Sequence, residues 1–238
     1  MNIHLHKYGQ GSPLVFFHGW GFDSQIWHSL IPILETQYQV ILVDLPGFGL
    51  SEMMEWQEFK TQLLALLPEQ FTLIGWSLGG LFATRLAIEE PQRVNLLFNC
   101  CSSPCFVAKS SWPGVPLEVF QTFYRNLTSD LQATLNDFVS LQTNKKKVTL
   151  SHNAFPSFTA LQSGLTILES WDLRNDLNTL GMPTHYLFGR LDPITPIKTM
   201  QAMTIDYPQF TYTVLQKSAH MPFLSEQQEF IRILRDSL

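Results

Sequence analysis

The feature that most constrains this chain is a serine placed between a short strand and a helix. Residues 71–74 are apolar and β-prone, which predicts a short buried strand. They are followed by Gly75-Trp76-Ser77-Leu78-Gly79, a match to G-x-S-x-G, and by apolar residues at helical spacing as far as Glu90-Pro91. Such a turn needs glycine where the backbone passes close, and it exposes the serine hydroxyl above the sheet edge. We therefore predict that Ser77 is a nucleophile; the alternative is a serine that only caps a helix.

Apolar segments alternate with helical patterns on both sides of this serine. The remaining predicted strands are residues 3–7, 14–17, 40–44, 94–100, 185–189 and 210–215, and helices are predicted over 24–34, capped by Ser24, and over 55–67 and 226–238. This alternation predicts an α/β fold with a mostly parallel central sheet and helices on both faces.

The alternation breaks in the middle of the chain, where three helical patterns occur and no strand is predicted. We interpret this segment as a helical lid inserted into the sheet domain. The expected division is a core of residues 1–106 and 172–238 and a lid of residues 107–171.

A serine nucleophile needs a base to take its proton and a carboxylate to orient that base. Asp192 and His220 follow the last two predicted strands, so both are expected at the strand ends above which Ser77 projects. The order serine, acid, histidine is that of the α/β-hydrolase fold. We predict a triad of Ser77, Asp192 and His220.

Other residues compete for two of these roles. Asp172 and Asp176 precede a strand instead of ending one, and Asp192 itself is of a kind common in turns before proline. His18 is the best rival to His220, but its place directly after a strand favours a role in shaping the adjacent loop.

The tetrahedral intermediate of acyl transfer needs two hydrogen-bond donors for its oxyanion. One is expected to be the backbone N–H of Leu78, the residue after the nucleophile. The other is expected from the loop after the second strand, at Trp20. The alternative for Trp20 is an ordinary core tryptophan.

Composition excludes several classes of function. The net charge of −5 gives no basic surface for nucleic acid. No apolar run reaches the ~18 residues of a membrane helix, and the N-terminal residues do not have the pattern of a signal peptide. We expect a cytoplasmic monomer with reduced thiols at Cys100, Cys101 and Cys105. The spacing of these cysteines fits no zinc motif, and no phosphate or dinucleotide loop is present, so no metal or cofactor is predicted.

Five motifs together resemble the α/β-hydrolase superfamily over nearly the whole chain: HGWG, DLPGFGLS, GWSLGGL, GRLDPITP and SAHMPF. A narrower set is CSSPCF at 101–106, WPG at 112–114 and FVSLQ at 138–142. With HGWG and GWSLGGL, this set resembles the carboxylesterase family of biotin biosynthesis.

The resemblance implies a defined reaction and a set of substrate contacts. Members of this family remove the methyl group from a pimeloyl methyl ester carried on acyl carrier protein. By the family pattern, the substrate-binding residues are Trp20, Ser77, Leu78, Phe138, Val139, Ser140, Leu141, Gln142 and His220. Phe138 and Leu141 share a face of a predicted helix, which suits either an acyl channel or the lid's own core.

The chain departs from the family pattern where the carrier is expected to dock. Similar enzymes are expected to meet this acidic partner with lid arginines, but the second lid helix here carries Asp130 and Asp137 and no arginine. The nearest basic run is Lys145, Lys146 and Lys147, with Arg125 and Lys109 farther off. We expect the run to dock the carrier or its phosphate-bearing arm; the alternative is a solvated charge run.

Three functions remain open at this stage. The first is the carrier-bound methyl esterase. The second is a broad short-chain carboxylesterase or a C–C bond hydrolase, since these share the triad and differ in the lid. The third is a hydrolase-fold protein that binds a small molecule, which fold analogy alone does not separate from the other two.

Overall fold

A seven-stranded sheet lies at the centre of the residues that the structure, a computed structural model, describes: 2–143 and 153–238. The strands are β1 (Leu5–Tyr8), β2 (Ser12–Phe17), β3 (Tyr38–Val43), β4 (Phe71–Trp76), β5 (Val94–Cys100), β6 (Thr184–Gly189) and β7 (Thr211–Leu215). Their spatial order is β1-β3-β2-β4-β5-β6-β7, and only the pair β1 and β3 is antiparallel. The predicted mostly parallel sheet is confirmed.

Helices cover this sheet. They are α1 (Ile31–Leu34), α2 (Trp56–Leu66), α3 (Leu78–Glu89), α4 (Leu117–Ser129), α5 (Leu131–Gln142), α6 (Phe158–Ser170), α7 (Ile197–Asp206), α8 (Pro222–Ser225) and α9 (Gln227–Ser237), with 3₁₀ helices at Ser24–Leu30 and Arg174–Thr179. The sequence patterns predicted most of these elements but missed α7, the four-residue α8 and the 3₁₀ helix at Arg174–Thr179. Among the described residues, no helix combines the length and the apolar character needed to cross a membrane.

The alternation of side chains along β2 shows why its whole sequence is apolar. Val15 and Phe17 join the core on one face of the sheet, with Phe59 of α2. Phe16 joins the core on the other face, with Phe230 of α9. Successive residues of a strand point to opposite faces, so a strand covered on both sides needs apolar residues at every position.

The helix predicted after β2 differs from expectation. Its first part is a 3₁₀ helix, and it is capped by Asp23, whose carboxylate accepts a hydrogen bond from the N–H of Gln25. The prediction of Ser24 as the cap is wrong. Asp23 has the extended backbone of a capping residue, whereas the Ser24 hydroxyl is buried without a partner among the described residues.

The middle of the chain is helical, as the sequence predicts. Helices α4, α5 and α6 coincide with the three helical patterns, and the described residues of this segment add only isolated bridges such as Val107 with Val115. Asp130 caps α5 by accepting from the N–H of Ala133. The division at residues 107 and 171 stays a prediction. Lys145, Lys146 and Lys147 lie outside the described residues.

Candidate active site

Ser77 lies at the sharp turn between β4 and α3, with a left-handed φ of 55°. The turn is possible because its glycines carry no side chain. A Cβ on Gly79 would collide with the carbonyl oxygens of Phe17 and His18 at the end of β2. The carbonyl of Ser77 accepts a hydrogen bond from the Ser102 hydroxyl at 2.7 Å. This turn presents the Ser77 hydroxyl at the carboxyl ends of the strands.

His220 and Asp192 complete an unbroken hydrogen-bond chain with this hydroxyl. Nδ1 of His220 lies 2.7 Å from Oδ2 of Asp192, and Nε2 lies 2.8 Å from Oγ of Ser77. A carboxylate only accepts hydrogen bonds, so Nδ1 carries the proton and Nε2 is left to accept the serine hydroxyl proton. The side chains of His220 and Asp192 are fully buried. Such an arrangement can activate a serine for attack on a carbonyl.

The loop after β6 fixes the Asp192 carboxylate. Oδ1 accepts hydrogen bonds from the backbone N–H groups of Ile194 and Thr195, and Oδ2 accepts one from the Thr195 hydroxyl. Donors on a carboxylate stabilise its charged form. The sequence reasoning missed Thr195, although its place three residues after the aspartate is typical of a side chain that bonds a local turn.

The backbone of His220 is held from two sides. Its carbonyl accepts a hydrogen bond from the Trp76 indole at 2.7 Å. Its N–H donates to the carbonyl of Gln142, the last residue of α5, at 3.1 Å. The end of α5 therefore contacts the histidine directly through its backbone, a contact that side-chain patterns do not reveal.

Two further polar side chains, His18 and Asp44, order the loops beside the site. The His18 ring donates from Nδ1 to the carbonyl of Gly19 and accepts at Nε2 from the N–H of Leu45. Asp44 accepts from the N–H groups of Ser24 and Leu50. Burial acts to raise the pKa of Asp44, but the His18 ring and these N–H donors outweigh it and hold the pKa below its usual range.

The backbone N–H groups of Trp20 and Leu78 are the predicted oxyanion donors. Leu78 is the first residue of α3 and Trp20 lies in the loop after β2. Within residues 2–143 and 153–238, neither N–H has a hydrogen-bond acceptor. An unpaired N–H at the start of α3 and another in the loop after β2 suit a developing negative charge, and their role as oxyanion donors stays a prediction.

The Trp20 side chain is buried against the lid helices. Its indole N–H donates to the carbonyl of Leu161 in α6 at 2.8 Å. Its ring meets Phe123 of α4 and Phe138 of α5 edge to face, with centroids 5.3 and 5.1 Å apart. The side chain is therefore a core tryptophan, and the site role of the Trp20 backbone N–H stays a prediction.

The predicted lid contacts at 138–142 divide into two groups. Phe138 and Val139 line a small cavity of about 70 Å³ between α5 and the loop after β2, and Gln142 reaches His220 through its carbonyl. Ser140 and Leu141 are exposed, and Leu141 retains 48% of its accessible surface. Contact of these five residues with a substrate stays a prediction.

Cys101 follows β5 and lies beside the Asp192–His220 pair. Its backbone has a φ of 47°, and its thiol donates to the carbonyl of Ala219 with a donor–acceptor distance of 3.7 Å. Burial raises the pKa of this thiol well above its usual value, and the neighbouring Cys100 and Asp192 add to the effect. All three cysteines are free and buried.

The sequence model of the alpha/beta hydrolase fold matches residues 12–227. The chain belongs to the α/β-hydrolase family. Solved structures agree: an esterase from Exiguobacterium antarcticum superposes with a TM-score of 0.90 at 22% identity, covering 98% of this chain and 94% of its own. A bromoperoxidase from Bacillus anthracis has a TM-score of 0.88 at 24% identity, with coverages of 99% and 94%. At such identities these likenesses show the fold alone.

Curated relatives are closer in sequence. A protein of Legionella pneumophila (strain Corby) is 58% identical over 234 residues, covering 98% of both chains. One of Aeromonas hydrophila is 37% identical over 249 residues, again covering 98% of both. Both carry the name pimeloyl-[acyl-carrier protein] methyl ester esterase. The resemblance predicted from the motifs is confirmed.

Proposed function

We propose that this α/β-hydrolase is a serine carboxylesterase that hydrolyses the methyl ester of pimeloyl-[acyl-carrier protein] in biotin biosynthesis. The observation that carries the reaction class is the hydrogen-bond chain from Ser77 through His220 to Asp192, at 2.8 and 2.7 Å. The assignment of the substrate rests on relatives of that name, which match over nearly their full length at up to 58% identity. The products are methanol and a pimeloyl chain with a free carboxylate, still attached to its carrier.

In the acylation step, His220 Nε2 takes the hydroxyl proton as Ser77 Oγ attacks the ester carbonyl. The oxyanion of the tetrahedral intermediate accepts hydrogen bonds from the N–H groups of Trp20 and Leu78, each worth about 3 kcal/mol of transition-state stabilisation. The imidazolium of His220 is stabilised by Asp192 and then protonates the departing methoxide. Methanol leaves, and the acyl group remains on Ser77.

Deacylation repeats these steps with water. His220 takes a proton from water, the hydroxide attacks the acyl carbonyl, and the oxyanion again rests on the two N–H groups. His220 returns the proton to Ser77 Oγ as the acid leaves. None of these steps requires a metal or a redox cofactor.

The partner in this proposal is the acidic carrier protein. Lys145, Lys146 and Lys147 remain its proposed docking residues, on the ground of charge complementarity. The presence of an acidic residue, Asp130, at the second lid helix has a structural explanation, because its carboxylate caps that helix.

The test compares steady-state hydrolysis of the carrier-bound methyl ester with that of a small methyl ester. We expect the carrier-bound ester to have the higher kcat/KM, because the carrier and the acyl chain add binding energy. Ser77→Ala should lose nearly all turnover of both substrates while keeping the circular dichroism of the wild type. Replacing the three lysines by glutamate should raise KM for the carrier-bound ester alone.

Each other outcome has a definite meaning. If only the small ester turns over, the chain is a general esterase and the carrier assignment falls. If one product forms per protein with no steady state, the chain is a binding protein. If Ser77→Ala turns over like the wild type, the mechanism is wrong.

A further inference from the structure

Three metal-binding side chains meet behind the candidate nucleophile. The thiol sulfur of Cys101, a carboxylate oxygen of Asp192 and a ring nitrogen of His220 all lie within 4.8 Å of one another, and all three residues are buried. They come from the loops after β5, β6 and β7. The sequence shows no metal motif because these residues are far apart in the chain and meet only at the carboxyl edge of the sheet.

The chemistry of these donors suits a thiophilic divalent cation. A thiolate, an imidazole nitrogen and a carboxylate are the ligands that zinc takes, at about 2.0 to 2.3 Å, with a fourth position open to water. A buried ion needs its charge balanced, and one thiolate with one carboxylate balances two positive charges. Nδ1 of His220 and Oδ2 of Asp192 lie 2.7 Å apart, whereas two ligands at about 2.0 Å from a tetrahedral ion are about 3.3 Å apart. Binding therefore requires these two atoms to separate slightly and the sulfur, within 4.8 Å of both, to move towards them.

We propose that Cys101, Asp192 and His220 form an inhibitory site for a thiophilic divalent cation such as Zn²⁺ or Cd²⁺. The cation replaces the proton between Nδ1 of His220 and the Asp192 carboxylate, and it binds the Cys101 sulfur as a thiolate. The ring proton moves from Nδ1 to Nε2, so that the imidazole stays neutral, and the thiol proton passes to solvent; the step needs no oxidant or other reactant.

Inhibition follows from what the cation does to the base. In an imidazole bound to the cation through Nδ1, Nε2 carries the ring's only proton and has no free lone pair. It therefore does not take the proton of Ser77. Asp192, bound to the cation, no longer orients the histidine. Because the site is buried, inhibition should develop slowly after the metal is added.

Cys101 takes no part in the proposed ester hydrolysis. Substituting it therefore tests cation binding separately from catalysis. Its left-handed backbone and the 2.7 Å hydrogen bond from its N–H to the carbonyl of Leu187 fix it beside the loop of His220. Cys105 is a matched control. It is also buried and free, but its thiol donates to the carbonyl of Val107 and it is not one of the three clustered residues.

The test uses Cd²⁺ alone as the probe, with two readouts. The first is the ultraviolet charge-transfer absorption of a cadmium–thiolate bond, and the second is hydrolysis of a small methyl ester relative to each variant's own metal-free rate. The wild type and Cys105→Ala should bind one equivalent, lose activity slowly and recover with a chelator. Cys101→Ala should lose the absorption and need at least about tenfold more Cd²⁺ for half-inhibition, a loss of about 1.4 kcal/mol.

The proposal is overturned if the wild type shows no cadmium–thiolate absorption, or if Cys101→Ala keeps the wild-type absorption and sensitivity. If Cys101→Ala does not fold, Cys101→Ser serves instead, with the same loss expected because a hydroxyl is a poor ligand for Cd²⁺. The inference stands apart from the substrate assignment. Ser77→Ala, which has no turnover, should still bind one equivalent of Cd²⁺.

Discussion

Gly189 lies where the loops of Asp192 and His220 approach each other. It is the last residue of β6, and a Cβ at this position would collide with the carbonyl oxygen of Ala219. The N–H of Asp192 in turn donates to the carbonyl of Gly189. The absence of a side chain here allows the 2.7 Å contact between the acid and the histidine.

We predict that Gly189→Ala separates these two loops. The methyl group meets backbone, which cannot move aside as a flexible side chain can, so kcat on a small methyl ester should fall at least about tenfold. Gly181→Ala is the matched control, because nothing lies within 4 Å of the position of its Cβ. Equal kcat values for the two variants, with both folded, would contradict the role given to Gly189.

At the scale of residues, the sequence predicted the three side chains of the hydrogen-bond chain but not the groups that hold them in place. Ser77, Asp192 and His220 could be selected because each follows a strand in a set order. Thr195, the carbonyl of Gln142 and the position of Cys101 could not be selected. A backbone acceptor leaves no trace in residue type, and a contact between loops far apart in the chain depends on strand order, which single-sequence patterns do not give.

At the scale of elements, the loop after β2 and helix α6 are joined by the Trp20 indole. Its N–H donates to Leu161, and a Cβ on Gly164, one turn farther along α6, would lie 2.6 Å from Cδ1 of the same ring. The helix therefore packs closely on the loop that carries a predicted oxyanion donor. Helix position and site geometry are coupled through one side chain.

We predict that Trp20→Phe lowers the free energy of unfolding in urea by about 1 kcal/mol more than Trp27→Phe does, the usual net contribution of one hydrogen bond. Both substitutions remove similar volume from buried positions. Only Trp20→Phe removes a hydrogen bond, because the Trp27 indole N–H has no partner among the described residues. Trp20→Phe should also lower kcat for small esters. Equal losses of stability would mean that the bond to Leu161 contributes nothing.

The predictability of an element depended on the strength of its pattern. The strand before Ser77 is short but largely apolar as far as Gly75, the helix after it is long and ends just before Pro91, and both were predicted. Helix α7 follows Pro196 and has only two fully buried side chains, Thr199 and Met203. An apolar stripe that narrow is too weak to identify a helix from sequence.

At the scale of the whole molecule, His185 links three elements on one side of the sheet. It lies in β6, accepts a hydrogen bond at Nε2 from the hydroxyl of Thr213 in β7, and donates from Nδ1 to the hydroxyl of Ser237 in α9. The neutral ring satisfies both partners. Burial lowers the pKa of His185 from 6.5 to about 4.

This pKa predicts how stability depends on pH. In the unfolded chain His185 binds a proton below about 6.5, whereas in the folded protein it stays neutral until about 4. The unfolded state therefore holds more protons between these values, and the free energy of unfolding falls as pH is lowered, by at most about 3 kcal/mol for this group. In urea unfolding, the free energy of unfolding of His185→Gln should therefore decrease less than that of the wild type between about pH 7 and about pH 4. An unchanged slope would contradict the assignment.

The fold as a whole was predictable because apolar segments and their order specify a parallel sheet covered on both faces. The partner was predictable only through resemblance. No physical feature of the described surface identifies a carrier protein, since Asp130 and Asp137 repel an acidic partner and Lys145–Lys147 lie outside the described residues.

The central claim is that one of two ester bonds is cleaved, the methyl ester and not the thioester to the carrier. The direct measurement is the intact mass of the carrier-bound methyl ester after incubation with the wild type, with Ser77→Ala as the control. The account predicts a carrier that keeps its acyl chain and loses the mass of one methylene, and no change with Ser77→Ala. A carrier stripped of its acyl chain, or one left unchanged by the wild type, would contradict it.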